Sequence, residues 1–298
     1  MRRSLVAIAL ALVSVLATAC GGGGGDQPRE LVISAIPDQD PQKLQRLYGA
    51  LSERLTRTLG IPVRYVPLTD YAASVTAYRR GDLDMVFFGG LTGVQARQQV
   101  PGSVPLAQRD VDERFRSVFV ASTASGLPAV TDVAGLREVG GRTFTFGSES
   151  STSGRLMPQY FLDQAGVGPN SFRGPSGFSG SHDATIALVT AGAYEVGALN
   201  ATVWDQRLAA GTVDLTKVRE IFRTPTYHDY HWLARPDIDD ELGAGTTGRV
   251  RDALLGLQAG DPVDKNILDL FGAGSFIATQ PANYDQVEQV ARSLGLVQ

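Results

Sequence analysis

The 298-residue chain carries 27 Lys+Arg against 31 Asp+Glu, a formal net charge of −4, which excludes the basic balance that nucleic-acid binding needs. Its single cysteine, Cys20, excludes an internal disulfide, and three histidines beside it leave too few ligands for a closed metal centre. Past residue 20 no apolar run is long enough to cross a bilayer.

The first element is an export signal over residues 1–19: Met1-Arg2-Arg3, an apolar run from Leu5 to Leu16, then Ala17-Thr18-Ala19 before Cys20. The segment around Cys20 resembles the lipobox of bacterial lipoproteins, with Ala17 where leucine is usual and Leu16 one place further back. Lipidation of Cys20 is the expectation, and ordinary cleavage near Ala19 the alternative. Gly21 to Gly25 lack side chains to pack, so residues 20–28 read as a lipid-bearing cysteine and a tether. Cleavage before Cys20 leaves about 279 residues of net charge about −6, enough for one large domain or two lobes. An anion would have to be held by local dipoles and hydrogen bonds, not by overall charge.

From Arg29 short strand-like runs alternate with amphipathic helical runs, the pattern of parallel α/β units. Strands are predicted at 31–36, 63–66 and 84–88, and helices at 41–59, 70–80 and 92–99. An extended run at 115–121 reads as a first crossing between lobes. A second α/β set follows to residue 221, with strands near Phe144 and Gly197 and helices near Pro158 and Ala184. Residues 221–234 read as a second crossing, and 239–297 as mostly helical. The predicted lobes are therefore 29–119 with 232–298, and 120–231, facing each other across a cleft.

Four turns share one design, in which a strand or loop feeds hydroxyls or glycines into a helix start: 69–72, 88–92, 148–154 and 178–183. The first N–H groups of a helix lack intrahelical partners and carry partial positive charge, so such turns can hold an oxyanion. Ser148-Glu149-Ser150-Ser151-Thr152-Ser153-Gly154, between the apolar run at 143–146 and a helical pattern, is the strongest of the four. An ordinary N-cap is the competing reading for each turn. The four together point to a small tetrahedral anion at the carboxyl ends of the strands.

Asp70-Tyr71-Ala72-Ala73, Asp84 through Phe88-Gly89-Gly90, Phe146-Gly147-Ser148 through Gly154, and Ser179 through Thr185 together resemble the phosphate, phosphite and phosphonate periplasmic binding proteins of ABC transporters. Gly197-Ala198-Leu199-Asn200 and Tyr227-His228-Asp229-Tyr230-His231-Trp232 fit the branch named for selenate binding. The resemblance runs from about Leu31 to Asp237. It implies the type II two-lobed clamshell with an interlobe ligand cleft, no catalysis, no cofactor and no metal. It assigns oxyanion contacts to Tyr71, Ser151, Thr152 and His182, with Ser153 and Gly154 contributing backbone N–H groups and Phe88, Gly89, Thr202, Asp229 and Tyr230 completing the site. A permease, its ATPase and, through Cys20, the membrane are the implied partners of a monomer outside the cytoplasm.

Phosphonate binders of this family carry a glutamate where Thr202 stands and an aspartate where Tyr230 aligns, with Asp229 adjacent. An ionised carboxylate only accepts hydrogen bonds, so its loss favours a ligand without a proton. A selenate-like anion, with Thr202 and Tyr230 as donors, is therefore expected over phosphonate or phosphite. A surface sensor of the same fold is one alternative. An exported hydrolase using a serine of 148–153 with His182 and Asp183 or Asp229 is another, against which stands the lack of a Gly-x-Ser-x-Gly elbow.

Overall fold

A computed structural model of the chain describes residues 29–298; the signal segment, Cys20 and the glycine tether lie outside the described residues. Strand β1 (Leu31–Ala35) is buried along nearly its whole length, and Asp40 then opens helix α1 (Pro41–Leu59) by accepting the Lys43 N–H at 2.9 Å. Proline at the first helical position and Gly60 at φ 71° bound this helix, because proline has no N–H to waste there and glycine tolerates the left-handed stop. Its face of Leu44, Leu47, Leu51 and Leu55 is buried against the sheet. Strand β2 (Val63–Tyr65), helix α2 (Tyr71–Arg80), strand β3 (Met85–Phe88), helix α3 (Gly90–Gln99) and strand β4 (Val104–Arg109) follow.

The chain then enters the second lobe. Strand β5 (Ser117–Ser122), strand β6 (Phe144–Phe146), a single π-helical turn (Thr152–Leu156), helix α4 (Met157–Gln164) and strand β7 (Gly177–Phe178) come first. Helix α5 (His182–Thr190), strand β8 (Val196–Asn200), helix α6 (Ala201–Ala209) and strand β9 (Val218–Arg223) complete it. The return adds strand β10 (His231–Ala234), helices α7 (Ile238–Leu242), α8 (Thr246–Leu255) and α9 (Pro262–Phe271), strand β11 (Phe276–Ala278) and helix α10 (Asp285–Ser293).

Two sheets result, six-stranded in the order β11-β4-β10-β3-β1-β2 and five-stranded in the order β7-β6-β8-β5-β9. Parallel pairs form where helices intervene, and the strands next to the crossings pair antiparallel. This is the two-lobed α/β clamshell expected from the sequence. The expected boundary at 119/120, however, falls inside β5. All six β5 residues are buried between β8 and β9, so the run read as a crossing is a central strand of the second sheet. The passage between lobes lies instead just before Ser117. Likewise β11 interrupts the region expected to be helical, and α3 starts at Gly90 rather than at Thr92.

The two passages are tied to each other. Phe115 and Tyr227 exchange backbone hydrogen bonds at 2.9 and 3.0 Å, and the Asp229 N–H reaches the Asp112 carbonyl at 3.2 Å. Beneath them Arg109 and Asp112 form a buried two-point ion pair, at 2.8 Å from Nε and 2.6 Å from Nη2, while Arg109 Nη1 donates to the Phe271 carbonyl. Three donors of the guanidinium are thus satisfied, which a buried charge requires.

Candidate anion site in the interlobe cleft

Thr145 and Phe146 carry the chain to the carboxyl end of β6, and the hydroxyl-rich turn begins there. Ser151 is the N-cap, its Oγ accepting the Gly154 N–H at 2.9 Å. The following turn is π-helical and pulled close to the strand: the Gly147 N–H donates to the Gly154 carbonyl, and a Cβ on Gly154 would stand 3.1 Å from Gly147 Cα. Only glycine fits that approach. Thr152 Oγ1 accepts the Leu91 N–H of α3 from the opposite lobe at 3.0 Å. The Ser153 hydroxyl is buried without a hydrogen-bond partner, beside Tyr227, while its carbonyl accepts from Ser117 Oγ at 2.8 Å.

The first lobe supplies the facing wall. Tyr71, the first residue of α2 after the Asp70 cap, is buried and its hydroxyl stands beside that of Ser151. Ser151 Oγ is already engaged, and the phenol makes no hydrogen bond. Gly89 brings the backbone in closely, since a Cβ there would stand 3.2 Å from Thr152 Oγ1 and 3.3 Å from Asp229 Oδ1. Asp229 Oδ1 accepts the Gly90 N–H at 2.9 Å, and Oδ2 has no partner. Burial pushes this carboxyl up to about 7, against the pull of the Gly90 N–H and Thr152. A groove of about 260 Å³ lined by Tyr71, Ser148, Ser150 and Gly180 opens beside this cluster.

Tyr71 Oη, Ser153 Oγ and Asp229 Oδ2 are therefore three buried polar atoms left unpaired among partners that belong to one another. Buried polar groups are normally satisfied, so unpaired ones that share a cleft mark a place for a ligand. Two of them are neutral hydroxyls and the third is a carboxyl that titrates near neutrality. The set suits an oxyanion that also brings a hydrogen-bond donor.

The remaining expected residues fall differently. His182 and Tyr230 are buried nearby, but Tyr230 donates its proton to Asp38 Oδ2 at 2.9 Å and contacts His182 Nε2 at 3.1 Å. Tyr230 is thus not the expected free donor for the anion. Desolvation drops His182 to about 4, so its imidazole is neutral. Phe88 is turned into the core, edge-on to Tyr78 at 5.5 Å. Thr202 lies on α6 with its methyl toward Gly272, where a Cβ would come within 3.0 Å of it, so it belongs to the seam between lobes and not to the cluster. The hydrolase arrangement is not assembled either: His182 faces Tyr230, and Asp183 binds Arg207 at 2.8 Å and the Asp40 N–H at 2.8 Å. Among the described residues no group of three His, Cys, Asp or Glu side chains could hold a metal. Asp38 was not expected; its only sequence signal is its place just beyond the carboxyl end of β1.

The family model for periplasmic substrate-binding proteins of ABC phosphonate transporters matches residues 33–284. The chain belongs to this family. Among its relatives, a probable ABC transporter phosphite-binding protein, PhnD1 of Prochlorococcus marinus (strain MIT 9301), is 44% identical over 271 residues, covering 91% of each chain. The structure of that PhnD1 in complex with methylphosphonate superposes with a TM-score of 0.89 over 91% of this chain and 100% of the other. A phosphate-import protein, PhnD of Mycolicibacterium smegmatis (strain ATCC 700084 / mc(2)155), is 26% identical over 68% of this chain and 67% of its own length. A binding-protein component of an ABC phosphonate transporter from Pseudomonas aeruginosa shares the fold, with a TM-score of 0.76 at 18% identity, covering 88% of this chain and 85% of that one. Members of the family are binding proteins, not enzymes. They work outside the cytoplasm, handing a small molecule to a permease and its ATPase, and no described helix of this chain is long and apolar enough to cross a membrane.

Proposed function

We propose that this binding protein captures a small phosphorus oxyanion that keeps a titratable proton, of the hydrogen phosphite or methylphosphonate kind, in preference to selenate or sulfate. The observation that carries the reading is the buried, unpaired Asp229 Oδ2, together with the buried, unpaired Tyr71 and Ser153 hydroxyls. A carboxyl in that position accepts a hydrogen bond from a P–OH group and repels a fully deprotonated oxygen, or must itself be protonated to meet one. The selenate-like preference expected from the sequence required Thr202 and Tyr230 as donors; the Tyr230 hydroxyl donates to Asp38, and the Thr202 methyl lies toward Gly272. The 44% identical relative, whose structure is a methylphosphonate complex, supports the same ligand class.

In this reading the 29–116 and 231–298 segments form one lobe and 117–223 the other, joined by the two passages. Cys20 is lipidated and the glycine tether holds a monomer at the membrane surface beside its permease. Calorimetric titration of the soluble chain with phosphite, methylphosphonate, phosphate, sulfate and selenate, at one pH and ionic strength, tests the ligand class. Tighter selenate or sulfate binding than phosphite or methylphosphonate binding would overturn it. Retention of the full-length protein in the membrane fraction, lost on Cys20→Ala, tests the anchor.

A further inference from the structure

Asp38, on the loop between β1 and α1, stands at one end of a hydrogen-bond chain that crosses the cleft. Its Oδ2 accepts from the Tyr230 hydroxyl at 2.9 Å, and that same phenolic oxygen lies 3.1 Å from His182 Nε2 and 3.2 Å from Asn200 Nδ2 in the opposite lobe. The direction of every proton follows from two backbone groups. The Val203 N–H donates to Asn200 Oδ1 at 3.1 Å, which turns the Asn200 amide nitrogen toward Tyr230. The Asn200 N–H reaches His182 Nδ1 at 3.4 Å, so Nδ1 carries the lone pair and the neutral ring holds its proton on Nε2. Two donors of the second lobe thus aim at one phenolic oxygen. That oxygen has two lone pairs and one hydrogen, and it can receive both donors only if its own hydrogen points elsewhere. Asp38 provides the elsewhere.

The ring that carries this oxygen is rigidly held. It stacks on Phe87 at 5.4 Å, meets Phe115 edge-on at 5.6 Å, and lies 4.8 Å from the Arg109 guanidinium carbon. The phenolic oxygen is therefore fixed in place, and only its hydrogen can turn. Beside this chain the His182 N–H donates to the Asp38 carbonyl at 2.9 Å, and both bonds exist only when the lobes meet.

We infer that Asp38 is a positioning residue for ligand capture: by holding the Tyr230 hydroxyl hydrogen on the side of the first lobe, it lets His182 and Asn200 dock on the same oxygen and so couples closure of the clamshell to retention of the anion. This rests on the proposed ligand class only for the choice of probe. Asp38 itself makes none of the contacts assigned to the anion.

The test measures methylphosphonate affinity and dissociation rate for the wild type, Asp38→Ala, Asp38→Asn, Tyr230→Phe and Asp38→Ala with Tyr230→Phe. Loss of the acceptor should weaken binding by about tenfold or more, mainly through faster release. Asp38→Asn should stay within about threefold of wild type, since its amide oxygen accepts the same hydrogen. In the Tyr230→Phe background Asp38→Ala should add almost nothing, because the two act on one bond. Losses that multiply in the double variant, or an Asp38→Asn loss as large as that of Asp38→Ala, would overturn the inference. Should Asp38→Ala fail to fold, Asp38→Ser, too short to reach Tyr230, replaces it with the same expectation. If the wild type binds neither methylphosphonate nor phosphite, the ligand class falls, and the inference is then read from amide exchange of His182 in the ligand-free chain. Asp38→Ala should speed that exchange about tenfold, and an unchanged rate would overturn the chain.

Discussion

Asp229 and Gly90 are joined by a 2.9 Å hydrogen bond from the amide to Oδ1, which leaves Oδ2 as the one carboxylate oxygen in the cluster without a protein partner. The bond anchors a carboxyl from the second passage to the first turn of α3, where the helix dipole favours negative charge. Because burial still raises this carboxyl to about 7, the closed cleft binds a proton that an open, hydrated Asp229 would release.

The sign of the resulting pH dependence follows. The closed, liganded form holds the extra proton, so its stabilisation is complete at low pH and is lost as pH rises through about 7. Methylphosphonate affinity is expected to fall between about pH 4 and pH 7, by up to about tenfold per unit for one linked proton, and to level off above pH 7 apart from the ligand's own ionisation, in calorimetric titrations at constant ionic strength. Asp229→Asn should flatten that slope to the part contributed by the ligand's own ionisation. It should also reduce the ratio of methylphosphonate to sulfate affinity by about tenfold. A wild-type affinity independent of pH across this range would refute the role given to Oδ2.

Thr152→Ala removes the acceptor of the Leu91 N–H and leaves a helix-start amide unpaired whenever the lobes meet. The expected loss of anion affinity is ~1–3 kcal/mol, with little change in the melting temperature, since the bond joins lobes and not a core. Equal affinity in calorimetry would reduce the turn to a simple cap.

Gly89→Ala places a methyl 3.2 Å from Thr152 Oγ1 and 3.3 Å from Asp229 Oδ1, tighter than ordinary contact. The lobes must part by a few tenths of an ångström to admit it. We expect a loss of about tenfold or more in affinity at nearly unchanged urea stability, because small displacements of preorganised groups weaken binding strongly.

Thr202→Val keeps the methyl that faces Gly272 and deletes the hydroxyl. Methylphosphonate and selenate affinities should each stay within about twofold of wild type. A selective loss of selenate binding would return Thr202 to the site and revive the preference read from the sequence.

Asp112→Ala strands the Arg109 guanidinium, buried with its carboxylate partner gone. Breaking such a pair costs about 3–5 kcal/mol, measurable as a lower denaturation midpoint in urea. Since the Asp112 carboxylate also accepts from the Tyr230 backbone on the second passage, closure should slow or weaken together with stability.

The sequence by itself determined the local parts, because they depend on short-range chemistry. Asp40, Asp70 and Ser181 cap helices as their positions dictate, Gly60 and Gly81 stop them, and the run from Ser148 to Gly154 forms a turn that exposes hydroxyls. The alternation of apolar runs determined two α/β lobes, and the order of Tyr71, Ser151-Thr152-Ser153-Gly154 and His182 was enough to name the family. Tertiary structure decided what those parts do to one another. The run at 115–121 read as a crossing until the burial of Ser117–Ser122 between β8 and β9 made it a central strand, since an apolar run has the same periodicity in either role. Tyr230 read as an anion donor until Asp38, 192 residues away in sequence, took its proton. Thr202 read as a specificity residue, and the fold turns its methyl toward Gly272. In each case the deciding partner lies far along the chain. Hydroxyl and carboxyl groups carry no mark of which neighbour will satisfy them, and only the closing of two lobes determines which polar atoms are left for a ligand.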